Sequence, residues 1–277
     1  MSMVVNRRDL DFILYETLGL ESVLQSDRYA DYDRESLDAI LDLCQTIAED
    51  QFLPCAGKLD ANEPKFVDGK VETIPELKEA INAYQEAGLC TSAYDSEIGG
   101  MQLPWMVDQA LNGMFVCANN PAHMYLFLTQ GVANMLDACG SRELKDKYLP
   151  NLVEGKWFGT MCLSEPQAGS SLADIRTKAE LNADGSYSIS GTKMWISGGE
   201  QDLTENIIHM VLAKIPGSPP GVKGISLFLV PKCRVNDDRS IGEYNNIALA
   251  GLNHKMGCRG ATNCLLNFGE SGESIGY

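Results

Sequence analysis

In Thr160-Met161-Cys162-Leu163-Ser164-Glu165-Pro166-Gln167-Ala168-Gly169-Ser170 a short β-type run stops in a loop that contains a proline, a glycine, two serines and a glutamate. Hydroxyls and backbone donors crowded into such a turn suit a planar polar group held at a strand end. A companion piece follows at Lys193-Met194-Trp195-Ile196-Ser197-Gly198-Gly199. Alternate side chains of an extended segment share a face, so Trp195 and Ser197 are expected to point the same way. Around these pieces lie short alternating runs, Ala179-Glu180-Leu181 and Tyr187-Ser188-Ile189, separated by the hairpin signal Ala183-Asp184-Gly185. Ser190-Gly191 reads as a further turn, and strands are predicted at 207–213, 225–230 and 264–268. Short strands at this spacing predict a small sandwich or barrel.

Upstream the period changes from two to between three and four. Leu37, Ile40, Leu41, Cys44, Ile47, Ala48 and Phe52 fall on one helical stripe that ends near Pro54. A helix is predicted from Pro75, a good first-turn residue, to Gly88. Two more cover about 105–118 and 122–139, and their near-uniform apolarity predicts burial all round. Ser141 caps a short charged helix, 142–148, that Pro150 follows. The fold class is therefore α+β and multidomain, a helical bundle over 1–158 with a helical extension at 1–35, then an antiparallel β domain over 159–277.

A chain of 277 residues is near the size at which single cores stop growing, which agrees with two domains. No apolar run approaches the ~18 residues of a membrane span, and the N-terminus lacks the apolar core of a signal peptide, so a cytoplasmic location is expected. Nine cysteines without CxxC spacing read as reduced, with Cys44, Cys117 and Cys139 as small buried hydrophobes. The three histidines lie far apart, and no metal site is expected. Residues 1–150 carry 25 acidic and 11 basic side chains, a balance of −14, and residues 151–277 carry 13 and 11, a balance of −2. No basic stripe is present, so neither nucleic acid nor a membrane surface is an expected partner. An anionic ligand belongs to the near-neutral half, where Lys193, Lys214, Lys223, Lys255 and Arg259 are available.

The two pieces at 160–170 and 193–199, in this order, resemble the flavin-binding segments of the acyl-CoA dehydrogenase family. Gly99-Gly100-Met101-Gln102-Leu103-Pro104, Lys147-Tyr148-Leu149-Pro150 with Gly155, Gly224-Ile225-Ser226-Leu227-Phe228-Leu229-Val230-Pro231, and Lys255-Met256-Gly257-Cys258-Arg259-Gly260 extend the resemblance through most of the chain. The helical preamble resembles the long bacterial branch that includes enzymes acting on 3-methylmercaptopropionyl-CoA. The resemblance implies FAD as cofactor and the α,β-dehydrogenation of an acyl-CoA thioester to a trans-2-enoyl-CoA, with electron transfer flavoprotein as acceptor and a homodimer or homotetramer as the assembly. It implies that Met161, Leu163 and Ser164 edge the flavin ring, that Gly169 lets the backbone approach, and that Ser170 lies towards the pyrophosphate and the substrate entrance. It further implies that Trp195 packs on the flavin, with Ile196 backbone and the Ser197 hydroxyl near its reactive edge. The family's C-terminal helical domain, with its usual catalytic glutamate, is expected to lie beyond this chain, so no general base is assigned here.

Each assignment has a plainer competitor. A Gly-Ser pair after a strand is an ordinary turn, and a tryptophan in a β domain is usually core. Ser197 with Gly198-Gly199 favours the flavin reading, since a plain core strand does not need them. The family's aspartate directly after the Gly-Ser pair is replaced by Ser171, with Asp174 three positions on. Glu165 reads as a loop-stabilising acceptor rather than a base. His254, Lys255 and Arg259 suit phosphates or a neighbouring subunit, and equally a solvated turn. An acyl-CoA oxidase and a non-catalytic flavin or acyl-CoA binding module remain the alternatives to a dehydrogenase.

Overall fold

The computed structural model describes residues 2–277, which divide into two compact units. One unit comprises 2–62 and Ile74–Met124, the other Glu63–Thr73 and Tyr125–Tyr277.

The first unit is helical. Short helices α1 (Arg7–Asp11) and α2 (Leu20–Val23) form the N-terminal extension and are followed by α3 (Arg34–Ile47). Asp33 caps α3 by accepting from Ser36 N at 2.8 Å, while the Ser36 hydroxyl accepts from Asp33 N, so two orphan donors are satisfied reciprocally. The stripe predicted on α3 is buried at Leu37, Leu41 and Cys44. It does not stop at Pro54: a wide π-type turn, Ala48–Phe52, leads into α4 (Leu53–Ala61), with Pro54 in the first turn of α4. Proline lacks an N–H and crowds the carbonyl four residues back, and a widened turn removes that conflict. Phe52 then packs edge-on against Phe115 at 4.9 Å, and Tyr84 of α5 (Pro75–Glu86) packs on Phe115 at 4.8 Å. Each aromatic pair adds ~0.5–1.5 kcal/mol beyond its area.

Helix α6 (Trp105–Cys139) contains both predicted helices, broken at Asn119 and followed by Pro121. The Asn119 side chain accepts from Ala122 N at 3.2 Å and restarts the helix. Burial is one-sided rather than all round: Val107, Leu111 and Phe115 are inside, whereas Trp105, Val116 and Phe127 are exposed. Cys44 is buried as expected, but Cys117 and Cys139 are exposed because they lie off the buried stripe. No described helix is long and apolar enough to cross a membrane.

In the second unit α7 (Arg142–Val153) starts at its Ser141 cap, which accepts from Leu144 N, and runs through Pro150. A proline inside a helix costs ~3 kcal/mol, but carrying on buries Leu152 and Val153 at ~1.5–3 kcal/mol each, so packing wins. A separate hairpin pairs β1 (Lys65–Val67) with β2 (Lys70–Glu72). The main sheet holds β3 (Trp157–Cys162), β4 (Lys178–Leu181), β5 (Tyr187–Ser197), β6 (Asn206–Lys214), β7 (Ile225–Pro231), and, after the small hairpin of β8 (Cys233–Val235) and β9 (Ile241–Tyr244), β10 (Ile247–Leu252), β11 (Asn263–Phe268) and β12 (Ser274–Gly276). Its path is β10-β11-β5-β4-β6-β3, with β12 on β5 and β7 on β6. Most pairs are antiparallel, but β3 runs parallel to β6, and β4 meets β6 in parallel at Lys178 and Lys214. A parallel pair needs a long crossover, which the β4–β5 hairpin supplies. One cluster, including Ile189, Ile196, Val211, Phe228, Val230, Cys264, Leu266 and Phe268, forms the core of the sheet.

The Ser190-Gly191 turn is not formed; β5 passes straight through it. Gly191 sits at φ +150°, and a Cβ there would meet Thr177 Oγ1 at 2.6 Å and Thr177 Cα at 2.8 Å. This glycine serves close approach rather than a turn. Replacing it, Gly191→Ala, should destabilise the chain by ~2–4 kcal/mol through strain and overpacking together. Urea denaturation measures this, and an unchanged midpoint would contradict the packing described here.

Candidate functional site

Strand β3 stops at Cys162, and residues 163–177 form the loop beyond it. Glu165 and Ala168 exchange backbone hydrogen bonds of 2.7 and 3.0 Å, which closes the turn around Pro166-Gln167. The Glu165 carboxylate points inward and accepts from Arg176 N (2.7 Å), Thr177 N (3.0 Å), the Thr177 hydroxyl (2.6 Å), Gln167 Nε2 (2.7 Å) and Lys193 Nζ (3.0 Å). Lys193 is fully buried in β5 and also donates to Leu163 O at 3.1 Å. One residue on, Met194 N donates to Ser164 O at 2.9 Å. The two sequence pieces, about thirty residues apart, are thereby stitched into one surface. Burial by itself would raise the Glu165 pKa, but its donors outweigh burial and hold it down to about 2. Burial pushes the Lys193 ammonium below its ordinary value, against the pull of Glu165.

Trp195 and Ser197 flank the buried Ile196, as alternation expects, but the alternation is broken just before them. Ile196 pairs with Cys264 and Lys193 with Leu266, so Met194 and Trp195 together oppose Leu265 in a bulge. The bulge turns both Lys193 and Ile196 inward, although they are three apart, and leaves Trp195 54% exposed at φ +65°. A bulky residue in that region costs ~1–3 kcal/mol and persists where its surroundings impose it. Ser197, beyond Ile196, is half-buried.

Of the other expected residues, Met161 is the one member of β3 that is not buried, Leu163 and Ser164 are half-buried, and Gly169 and Ser170 are exposed. The hydroxyls of Ser164, Ser170 and Ser197 bond to none of the described residues. Gly169 has ordinary backbone angles, and a Cβ on it would touch only Ser164 Oγ at 3.7 Å, so the fold itself does not require glycine there. Gly198 and Gly199 are the opposite case. Gly198 is buried at φ +68°, and a Cβ on Gly199 would lie 3.0 Å from Cys264 and 3.1 Å from Ile196. Backbone conformation accounts for Gly198 and close packing for Gly199, so neither carries weight for a cofactor.

Three further expectations change. Lys193 is unavailable to an external anion because Glu165 and Leu163 O hold it. His254 and Arg259 bind Glu63 at 2.8 and 2.9 Å, an internal cluster rather than a free cationic turn. Ser171 donates to Asp174 at 2.5 Å, so the displaced aspartate caps its own turn. Glu165 is an acceptor, as its place in the loop suggested. His209 is a satisfied core histidine, 2.7 Å from the Thr160 hydroxyl and lowered to about 3 by burial. Among the described residues no group of three or more His, Cys, Asp or Glu could hold a metal ion. Sequence reading missed the Lys193–Glu165 pair, for which the only local signal was a lysine in phase with Ile189.

Glu165→Gln should cost ~3–5 kcal/mol, since it leaves Lys193 charged and buried without a counter-ion, and Glu165→Gln with Lys193→Met should recover part of that loss. Because the folded Glu165 pKa lies below the unfolded value of 4.5, its contribution is complete above about pH 4.5 and fades as pH falls towards 2. Thermal unfolding followed from pH 7 down to pH 2.5 reads both effects. Equal acid sensitivity in wild type and the double variant would refute the linkage.

Known proteins resemble this chain over most of its length. The acyl-CoA dehydrogenase N-terminal domain pattern matches residues 34–156, and the acyl-CoA dehydrogenase middle domain pattern matches residues 160–270. A butyryl-CoA dehydrogenase of Syntrophomonas wolfei is 37% identical over 98% of this chain and 45% of its own length. A 3-methylmercaptopropionyl-CoA dehydrogenase of Ruegeria pomeroyi is 33% identical over 94% of this chain and 44% of its own. The chain thus spans less than half the length of these relatives. Among solved structures, an acyl-CoA dehydrogenase of Bacillus anthracis complexed with FAD matches with a TM-score of 0.68 at 22% identity, over 88% of this chain and 38% of its own. Butyryl-CoA dehydrogenase from Megasphaera elsdenii matches at 0.66 and 19%, over 88% and 57%. With both patterns in sequence order on one chain, the protein belongs to the acyl-CoA dehydrogenase family and carries its N-terminal and middle domains.

Proposed function

We propose that the protein takes part in the FAD-dependent α,β-dehydrogenation of an acyl-CoA thioester to a trans-2-enoyl-CoA, in the cytoplasm, with electron transfer flavoprotein as acceptor and as a homodimer or homotetramer. In this reading 1–158 is the helical domain and 159–277 the β domain that carries the cofactor. The observation that supports it is the joined surface of the 163–170 loop and the β5 bulge. There a strained, half-exposed Trp195 stands with unpartnered Ser164 and Ser197 hydroxyls and a glycine that the fold does not need.

These features fit a flavin ring. FAD, when bound, supplies a hydride acceptor. Met161, Leu163 and the Trp195 ring offer it apolar contact, and Ser164 and Ser197 offer hydroxyls to its polar rim. Ile196 contributes backbone only, because its side chain is in the core. Gly169 admits close approach, and Ser170 faces the substrate entrance. No residue of this chain is assigned as the base.

The test is an absorption spectrum of the protein at its natural full length, with flavin bands that bleach on adding acyl-CoAs of graded length; a protein purified without flavin and unable to take it up would end this reading. Two variants localise the cofactor. Gly169→Val should leave thermal stability nearly unchanged, since a Cβ has room, yet weaken flavin retention by at least about tenfold. Trp195→Phe should alter the flavin spectrum more than it alters stability, because an exposed ring contributes little to the core. A normal spectrum in both would move the flavin away from this loop.

A further inference from the structure

The segment 63–73 lies among the helices in sequence, between α4 and α5, yet it belongs to the second unit. Of its two short strands only Val71 is buried, so apolar packing within the hairpin does little to hold it. Polar ties fix both of its ends. Glu63 accepts from His254 Nδ1 at 2.8 Å and from Arg259 Nε at 2.9 Å. Thr73 donates to Asp202 from its hydroxyl at 2.7 Å and from its N–H at 3.3 Å. The donors on Glu63, His254 first among them, hold its carboxyl below the ordinary carboxylate range.

Both ties land on segments that flank the end of β5. The loop that carries His254 and Arg259 runs on into Ala261 and Thr262, which are buried. Thr262 O accepts from Gly198 N at 3.1 Å, and Asn263 pairs with Ser197 in register. Thr262 N donates to the Tyr125 hydroxyl at 2.8 Å, and Asn253 N to Asn263 O at 2.7 Å, which fixes both sides of this loop. Asp202, the partner of Thr73, follows Gly198-Gly199 in the chain on the other side of the same turn. One segment thus brackets Ser197-Gly198-Gly199 from two directions. The cleft at the Glu63 tie, lined by Asn253, His254, Arg259 and Thr262 among others, holds about 130 Å³. That is well below the ~300 Å³ at which small-molecule sites begin, so the cluster is a brace and not a ligand site.

We infer that residues 63–73 position the protein's contact to the flavin's reactive edge: Glu63, through the 254–262 loop, and Thr73, through Asp202, hold Ser197 and Gly198 in place. Both act through other residues and are therefore positioning residues. A hydroxyl that bonds a cofactor has to be held to within ~0.5 Å, and the last residue of a strand lacks a ladder on its far side to do so. The inference rests on the function proposed above for the flavin itself; the placement of Ser197 and Gly198 is read without it.

The natural full-length protein is compared with Glu63→Ala, Thr73→Val and the double variant. Amide hydrogen exchange reads the placement without turnover. The Gly198 and Thr262 amides should exchange at least about tenfold faster in the double variant, with each single variant between it and wild type. The Arg176 and Thr177 amides, which bond to Glu165, should keep wild-type rates. Unchanged exchange at Gly198 would overturn the inference, and so would an equal rise at all four amides, which is plain loss of stability. With flavin bound, kcat of the double variant should fall by at least about tenfold with KM within about twofold, and the flavin spectrum should shift, because the ties place the ring's partners and not the substrate. Faster exchange with wild-type kcat and spectrum would reduce the segment to a structural brace and likewise overturn the inference. Should the double variant fail to fold, Glu63→Gln, which keeps the shape and one acceptor oxygen but loses the charge, is read by the same criteria at about threefold. Faster Gly198 exchange in a protein that takes no flavin would instead remove the dehydrogenase reading and leave the placement of Ser197 and Gly198 standing.

Discussion

The buried ion pair between Glu165 and Lys193 is the constraint on which the candidate site depends. Removing two charges from water costs several kcal/mol per ion, and the attraction between them does not by itself recover it. Here the deficit is met by geometry, because one carboxylate gathers five donors from residues 167, 176, 177 and 193. Lys193 spends a second donor on Leu163 O. Such a pair is poor evidence for high stability, but it admits one arrangement of the loop against β5. That arrangement uses the backbone carbonyls of Leu163 and Ser164 internally and leaves the Ser164 hydroxyl without a partner among the described residues.

The same constraint explains the tryptophan. A regular strand with Lys193 inward would also put Trp195 inward and Ile196 outward. The bulge at 194–195 lets Lys193 reach Glu165 and Ile196 enter the core, and Trp195 is turned out to the surface in a strained conformation. Gly198 then takes the left-handed turn where β5 leaves the sheet, and Gly199 takes up the crowding against Cys264 and Ile196. Strain at one residue is thus balanced by the burial of Ile196, which would lose ~1.5–3 kcal/mol by being exposed.

Charge is distributed by pairing rather than by composition. Lys193, His254 and Arg259 stand in sequence positions that suit an external anion, but carboxylates at 165 and 63 occupy them. Arg176 and Lys178, unremarked in the sequence, are exposed and form no ion pair with the described residues. The near-neutral balance of residues 151–277 gives no hint of this division.

The helix start at Pro75, the Ser141 cap, the Asp184-Gly185 hairpin and the strands near 207–213, 225–230 and 264–268 were legible because each is written in neighbouring residues, as period, cap or turn chemistry. So was the family, through motifs in order. The extension of helices past Pro54 and Pro150 was not, since burial of Phe52, Leu152 and Val153 decides it and burial depends on distant partners. Strands of three residues with exposed side chains, such as β1, carry too little pattern to be seen. Gly191 as a close-approach residue, the bulge at Trp195 and the Glu63 cluster rest on contacts to Thr177, Leu265 and His254, which local sequence does not encode. By itself the sequence determined which elements form and which two segments could hold a cofactor; only the tertiary structure decided which way their side chains face and which charges stay free, because a buried charge takes its place from partners that folding brings to it.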